Sequence, residues 1–440
     1  MIVIIGIMDI SIVGSGYVGT TIAACFAELG HTVTTIDIDE DIVKQINAGE
    51  PPIHEPGLDS LIATHGGNRL TATKSYDIVP ETAVTILALP TPPTSDGSID
   101  LSYMETGAEA VGTALDKVNN EHQHVIVTKS TVVPTTTEEK LVPAIESAAI
   151  SRGTDFFVAA NPEFQREGSA VSDFLNPDKL VLGTADPVAS ERLRELYDPL
   201  REKSETEVPL VETGIAEAEM IKYANNTFLA SKVSLINDIG NICKQFDVDA
   251  YEVADAIGLD DRISERFLRS GVGWGGSCFG KDTKAIIAAA KSTGYQSKML
   301  SAAITLNEHQ PRRLVELVEK HTTLSGSRVA VLGLAFKPGT DDIRDSQALP
   351  VIEILQERDA EIVAYDPVAT EPMREQIPQI EYAQSARNAL AGAHAAVVLT
   401  GWDEFASLDA EFAQMESPIV VDGRRIIEPS QNIVYEGMTW

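Results

Sequence analysis

The glycine pattern at residues 14–19 constrains this chain more than any other stretch. A β-rich run, "ISIV", passes into Gly14-Ser15-Gly16-Tyr17-Val18-Gly19, and a helical stretch then closes at Gly30. A second β-rich run, "TVTTIDI", carries Asp37, 18 residues beyond Gly19. A GxGxxG alone is weak. Lying between a strand and a helix, with an acid at that distance, it has the context a dinucleotide-binding unit requires. The glycines let backbone N–H groups approach a pyrophosphate at a helix N-terminus. Asp37 is placed to accept hydrogen bonds from the adenosine ribose, which favours NAD over NADP. The bland alternative is a glycine turn with no ligand.

Further β-rich runs alternate with helical ones: "AVTILALPTP", "HVIVTKSTV", "FFVAANPE" and "KLVLGT". Such alternation implies a parallel, doubly wound sheet, and ligands of such sheets bind outside the carboxyl ends of the strands. Thr91, Thr131 and Glu163 sit just past such ends. After "REKSETEVP" the character changes to one helical pattern over 215–246, without Pro. On it Lys222 and Asn226 are four apart and share a face; a solvated helix edge would look the same. Apolar positions on more than one side of this helix imply a dimer interface. From about residue 311, "RVAVLGLAFKPGTDDIRDS" and "AEIVAYDP" restart a strand–turn–helix plan without GxGxxG. There Lys337 and Arg344, joined by Arg424 of "VDGRR", are suited to neutralise phosphate. The expected class is α/β: two Rossmann-like doubly wound domains joined by a long central helical domain. Their expected spans are 1–206, 207–310 and 311–440.

One short segment asks for chemistry. In "GVGWGGSCFGKD", residues 271–282, five glycines crowd around Cys278, and Lys281 and Asp282 follow it. A buried structural cysteine normally sits in an apolar run, whereas a partly open, locally cationic loop favours a nucleophilic thiolate. A glycine-rich turn with an incidental cysteine is the other reading, and the segment does not choose between them. The three cysteines, Cys25, Cys243 and Cys278, offer neither a disulfide framework nor a metal-ligand spacing, which suits a reducing cytoplasm. The opening "MIVIIGIM" lacks the basic region and cleavage site of a signal peptide, so either Met1 or Met8 is the expected start. No run is long enough to cross a bilayer. The net charge of -32, from 66 acidic and 34 basic residues, is spread along the chain. It argues against nucleic-acid or membrane partners and fits a protein that works in a salty cytoplasm.

Taken in order, "GSGYVG", "LPTPP…DGSIDLSY", "KSTVVP", "NPEFQREG", "EAEMIKYANNTFLA", "GGSC" with "FGKD", and "LAFKPGTDDIRDS" resemble the UDP-glucose/GDP-mannose dehydrogenase family. The likeness runs from about residue 9 to "DGRR". It implies NAD-dependent, four-electron oxidation of a nucleotide sugar, with UDP-glucose as the small-molecule substrate, in a homodimer or higher homo-oligomer. GDP-mannose or a UDP-N-acetylhexosamine is the nearest alternative substrate. A single-hydride β-hydroxyacid dehydrogenase is a more distant one, since it has no use for Cys278 or a third domain.

The resemblance also implies roles. Cys278 matches the nucleophile, Lys222 the group that stabilises oxyanions, and Asn226 its helical neighbour. Asp282 matches a carboxylate working with Lys222 and an ordered water; Thr131 and Glu163 support that water and thioester hydrolysis. Gly14, Gly16, Tyr17, Val18, Gly19, Asp37, Thr91, Thr131, Glu167, Lys281 and Arg344 match positions near NAD. The substrate side takes Glu163, Phe164, Gln165, Arg166 and Glu167, with Lys222 and Asn226. It also takes the loop Phe267, Leu268, Arg269, Ser270, Gly271 and Gly275, and finally Lys337 and Arg424. Arg262 matches an arginine contributed across the dimer. Ile42, Gln165, Trp274 and Gly280 depart from common family residues; the first stands where many members carry a base near the adenosine.

Overall fold

The computed structural model describes residues 6–117, 123–204 and 206–440. Of the residues before Met8, expected as an upstream extension or a longer first strand, 1–5 lie outside them, and Gly6 and Ile7 are not part of a strand. By its contacts the chain divides into two compact units, residues 1–224 and 225–440.

The first unit is built on one sheet: β1 (Asp9–Val13), β2 (Thr32–Ile36), β3 (Leu70–Thr73), β4 (Val84–Leu87), β5 (His124–Thr128), β6 (Phe156–Ala160), β7 (Leu180–Thr184) and β8 (Leu210–Thr213). Their order is β3-β2-β1-β4-β5-β6-β7-β8, so the chain winds outward from β1 in both directions. β4, β5 and β6 are buried along their whole length, as strands covered on both faces must be, and this is why they read as near-continuous apolar runs. Along β1, Ile10 and Ile12 enter one core and Val13 the other, which is the period of two expected of a strand. Ser11, pointing with Val13, is buried too, and its hydroxyl pairs with Thr85 at 2.7 Å.

The expected all-parallel sheet has one departure. β7 runs antiparallel to β6, with Ala160 opposite Gly183, and β8 follows β7 in parallel. The segment 161–179 leaves β6 at the carboxyl edge of the sheet and holds only a six-residue helix, Ala170–Leu175. It makes no crossover to the opposite edge, so the chain re-enters from the side it left and must reverse direction. A long turn is thereby held where Glu163 to Glu167 lie.

The second unit carries β9 (Arg328–Leu332), β10 (Glu361–Tyr365), β11 (Glu381–Tyr382), β12 (Ala395–Val398), β13 (Ile419–Asp422) and β14 (Val434–Gly437). All pair in parallel, in the order β11-β10-β9-β12-β13-β14. The helix Lys298–Glu319 runs through Pro311, where the third domain was expected to begin. An interior proline costs helix stability, but Leu314, Val315, Leu317 and Val318 beyond it are buried in the core of this second sheet, which holds the helix whole. Likewise β8 lies past the expected cut at 206 and belongs to the first sheet. The long helical pattern forms one helix, Ile215–Gln245. No helix among the described residues is long and apolar enough to cross a membrane.

Candidate active site

In the first unit the glycine turn joins β1 to the helix Tyr17–Leu29. A Cβ on Gly19 would stand 1.9 Å from the Gly14 carbonyl oxygen, so the tight turn itself demands glycine there. At Gly16 the same Cβ would meet nothing within 4 Å. The chain's own packing leaves that backbone open, and space of this kind is what a pyrophosphate needs. Asp37, half-buried at the end of β2, accepts the Ser15 N–H at 2.6 Å and the Asp39 N–H at 3.0 Å. It therefore braces the turn. Val18 packs against the core. Tyr17, expected near the cofactor as part of the glycine turn, donates its phenol to Glu55. Glu55 is almost fully buried and also accepts the Gly168 N–H at 2.8 Å and the Ala170 N–H at 2.7 Å. Burial, with the Glu55 carboxylate beside it, pushes the Tyr17 phenol well above its ordinary range. Sequence reasoning missed Glu55; one acid in "HEPG" gives no sign that it fastens the 161–179 turn to the glycine turn.

Beyond β6, Glu163 and Lys222 form an ion pair at 2.8 Å, with side chains only 9% and 5% exposed. Burial works against the Glu163 charge, but Lys222, the Gln165 N–H at 2.6 Å and the nearby Lys129 together hold its carboxyl below the usual range. Phe164 lies between two cations, Lys179 at 4.1 Å and Lys222 at 5.6 Å from its ring centroid. Both polar atoms of the Gln165 amide are buried without a hydrogen-bond partner among the described residues. Arg166 forks onto Asp173 at 3.0 and 2.6 Å; Glu167 is half-buried. Thr91 donates to the Thr131 carbonyl at 3.1 Å, and Thr131 shares a small cavity with Glu219 and Lys222. Glu219, one turn before Lys222, accepts the Thr135 and Thr137 N–H groups at 2.6 and 2.9 Å, so it pins the turn that carries Thr131. It too escaped the sequence reading, having no feature to separate it from Glu217 in the same helix.

In the second unit Cys278 is the N-cap of the helix Phe279–Ser292 and is half-buried, in no disulfide. Its sulfur lies 3.5 Å from the Ser277 hydroxyl, and its carbonyl accepts the Asp282 N–H at 2.9 Å. Asp282, one turn along and 1% exposed, accepts the Asn226 amide at 2.7 Å. The Lys281 ammonium, expected near NAD, sits 2.8 Å from the same carboxylate. Three buried amides hold the loop before Cys278. Asn237 accepts the Gly271 N–H and Gln310 donates to the Gly271 carbonyl, both at 2.8 Å; Asn307 bonds both the N–H and the carbonyl of Trp274 at 2.9 Å. The Trp274 indole donates to Ser234 at 3.0 Å. These amides were missed, although a polar residue on an otherwise apolar helix face was their available signal. At Gly275 an added Cβ would lie 2.2 Å from the Asp345 carbonyl oxygen. That glycine serves the chain's own close packing, and so does Gly271, which faces the Gly423 carbonyl at 2.3 Å in the same sense. Gly280 similarly meets Asp345, while Ile42 packs on the first core.

Other expected substrate residues have internal partners. Leu268 is buried with Ile236 and Ala254; Ser270 bonds Thr439 at 2.6 Å. Arg269 pairs with Asp255 and stacks on Tyr251. Exposed Arg262 forks onto Asp260, and Arg344 onto Asp342. Phe267 takes a positive φ of 62° and stays partly exposed. Lys337 lies over its neighbour Phe336 at 5.5 Å. Arg424 differs in being held by carbonyls, Leu399 at 2.7 Å and Gly273 at 3.1 Å, with burial working against its charge. Its turn wraps around Asp422, which accepts the N–H groups of residues 424 to 427 at 2.8 to 2.9 Å.

Sequence profiles of the UDP-glucose/GDP-mannose dehydrogenase family match in chain order: the NAD-binding domain over residues 8–201, the central domain over 216–309 and the UDP-binding domain over 330–429. The chain belongs to this family. It is 57% identical over 432 residues to UDP-glucose 6-dehydrogenase AglM of Haloferax volcanii, covering 98% of this chain and all of that one. To UDP-glucose 6-dehydrogenase TuaD of Bacillus subtilis it is 39% identical, over 95% of this chain and 89% of the relative. The solved UDP-glucose dehydrogenase of Pyrobaculum islandicum superposes with a TM-score of 0.91 at 38% identity, covering 99% of this chain and 98% of that one. The family's NAD-binding domain contains the Gly14–Gly19 turn, and its UDP-binding domain contains Lys337, Arg344 and Arg424.

Proposed function

We propose that the chain oxidises UDP-glucose to UDP-glucuronate with two equivalents of NAD, through a covalent intermediate on Cys278. The observation that carries this reading is a cysteine outside any disulfide at the head of a helix, with a buried Asp282 one turn further on. A thiolate there meets the positive end of the helix dipole. The relatives acting on UDP-glucose and the open backbone at Gly16 support the substrate and the cofactor.

Taking a primary alcohol to a carboxylate removes four electrons and adds one water. NAD, when bound, accepts the hydride of each oxidation. In the first oxidation the alcohol loses its O–H proton to the Asp282 side of the site, directly or through water, as C6 becomes an aldehyde. The Cys278 thiolate then adds to the aldehyde carbon, and the oxygen takes a proton to give a thiohemiacetal. Loss of that proton and a second hydride leaves a thioester. Water attacks the thioester, Glu163 accepts its proton, and the C–S bond breaks to return the thiolate and release the acid. Lys222 places positive charge where the oxyanions develop; a donor of this kind is typically worth ~10²–10³ in rate. Arg424 and Lys337 serve the substrate diphosphate, and Arg344 stands on the NAD side. The chemistry needs a reduced thiol, which favours a cytoplasmic setting. The exposed stripe Phe228, Leu235 and Ile242, seven residues apart on one helix, supports association of two copies.

The test is NADH stoichiometry with mass analysis of the product. Wild type should yield two NADH per UDP-glucose and no free aldehyde. Cys278→Ala should stop near one NADH, with the product at the aldehyde level. Uronic acid formed by Cys278→Ala at close to the wild-type rate refutes the covalent route.

A further inference from the structure

Lys129 follows β5 in "KSTVVP" and has no part in the chemistry above, yet the residue is only 4% exposed. Its ammonium donates to the Asn161 side-chain oxygen at 2.8 Å and lies 3.3 Å from the Tyr197 hydroxyl. Tyr197 itself donates to that same Asn161 oxygen at 2.5 Å, and the Asn161 amide donates to Val181 of β7 at 2.9 Å. Asn161 is the first residue past β6, two before Glu163. Lys129 and Glu163 line one cavity, whose wall also carries Arg166, Asp173, Asp178 and Lys179. The charges that act on Lys129 are Glu163, from the turn after β6, and Lys222, from the helix Ile215–Gln245. Tyr197 faces it from the helix Pro187–Lys203. A lysine buried this deeply is costly, and a hydrogen bond to a neutral amide does not by itself require a charge.

We propose that Lys129 is a positioning residue: it fixes the turn after β6 through Asn161, and its charge sets how strongly Glu163 draws a proton from the attacking water. The proposal rests on the thioester reading above. Burial, opposed by the Glu163 carboxylate and reinforced by the like charge of Lys222, brings Lys129 down to about 7. Its charge therefore changes within the working range of a cytoplasmic enzyme. A protonated Lys129 stabilises the Glu163 anion and makes it a weaker base; a neutral Lys129 restores its basicity.

Lys129→Gln keeps a donor for Asn161 but carries no charge, and Lys129→Met has neither. In both variants the Asn161 oxygen retains the Tyr197 hydroxyl. Turnover under saturating UDP-glucose and NAD is measured from pH 6 to 9, and each rate is divided by that of wild type, which cancels ionisations common to all three proteins. The wild-type rate should fall relative to both variants by about threefold between pH 8 and pH 6, as a weaker general base would make it. A ratio independent of pH in both variants overturns the proposal, as does a change confined to Lys129→Met, which would indicate a hydrogen bond alone. Melting temperature needs no substrate. Lys129→Gln should gain on wild type below pH 7 and lose that gain as pH rises to 9, and a constant difference overturns the proposal even if UDP-glucose is not the substrate. No NADH from wild type with UDP-glucose, alongside converging melting curves, is instead the failure of the substrate reading; turnover is then read with the nucleotide sugar that is oxidised.

Discussion

Replacing Lys222 with methionine isolates the electrostatics of the buried pair. At 2.8 Å, two unit charges attract by about 6 kcal/mol at an effective dielectric of 20. Removing each ion from water costs several kcal/mol, so the intact pair stands near balance. Removing one partner does not. Glu163 would keep the Gln165 N–H and the neighbourhood of Lys129 but lose its main counter-charge, and breaking a buried pair in this way costs about 3–5 kcal/mol. For a unit of this size that corresponds to a melting shift on the order of 10 °C. The deficit should depend on pH. In wild type the Glu163 carboxyl lies below its ordinary value, so its contribution is present above that ordinary value and is lost only as pH falls through the lower, folded one. In Lys222→Met burial dominates and the carboxyl rises, so the folded variant binds a proton more readily than the unfolded chain and gains stability as pH falls. The deficit is therefore larger at pH 8 than at pH 5. Calorimetry is the assay, since Trp274, Trp402 and Trp440 all belong to the unit 225–440 and report on the other half. The double variant Lys222→Met/Glu163→Leu, with neither charge, should recover most of the loss. Melting of Lys222→Met within about 2 °C of wild type at pH 8, or a double variant no better than the single, would refute the reasoning.

Asp37 should enforce NAD over NADP, because its carboxylate faces the position of a 2′-phosphate. Asp37→Ala should narrow the ratio of kcat/KM for the two cofactors mainly by weakening NAD, and the half-buried acid's bond to Ser15 adds a loosening of the turn; equal values in wild type would contradict it. The net charge of -32 predicts that activity and melting temperature rise from dilute buffer to molar KCl as self-repulsion is screened, and a protein indifferent to salt would count against the halophile reading.

What the sequence made legible followed from local rules. The glycine turn, the strands β1, β2, β4 to β7, β9 and β10, and the long helix follow from propensity and apolar pattern, whereas the short strands β3, β8 and β11 to β14 were not read. Lys222 with Asn226 is read directly from helical spacing. Features decided by what folds onto what were hidden. The reversal at β7 is invisible because "KLVLGT" reads the same in either direction through a sheet. Glu55 and Glu219 act on backbone groups far away in sequence, and nothing local marks them; the amides Asn237, Asn307 and Gln310 had only the faint mark of a polar residue on an otherwise apolar helix face. Sequence logic also assigned the glycines of the cysteine loop to the substrate, whereas at Gly271 and Gly275 the neighbouring chain already fills the space. Pro311 marked no boundary because the apolar residues after it decide where the helix belongs.

The two sheets share a device with opposite outcomes. Asp37 ends β2 half-buried, and Asp366 follows β10 at the same point of the plan, 1% exposed. Asp366 is consumed: it accepts the N–H groups of Leu334, Ala335, Val368 and Ala369 and the indole of Trp402, all at 2.7 to 3.1 Å. A ribose arriving there would find no lone pair unclaimed. For protein engineering this means that grafting GxGxxG into "LGLAFK" would not turn the second sheet into a dinucleotide binder. The designer would first have to free Asp366, by removing Trp402 and opening the turn at Leu334, and would thereby dismantle the support beneath Lys337.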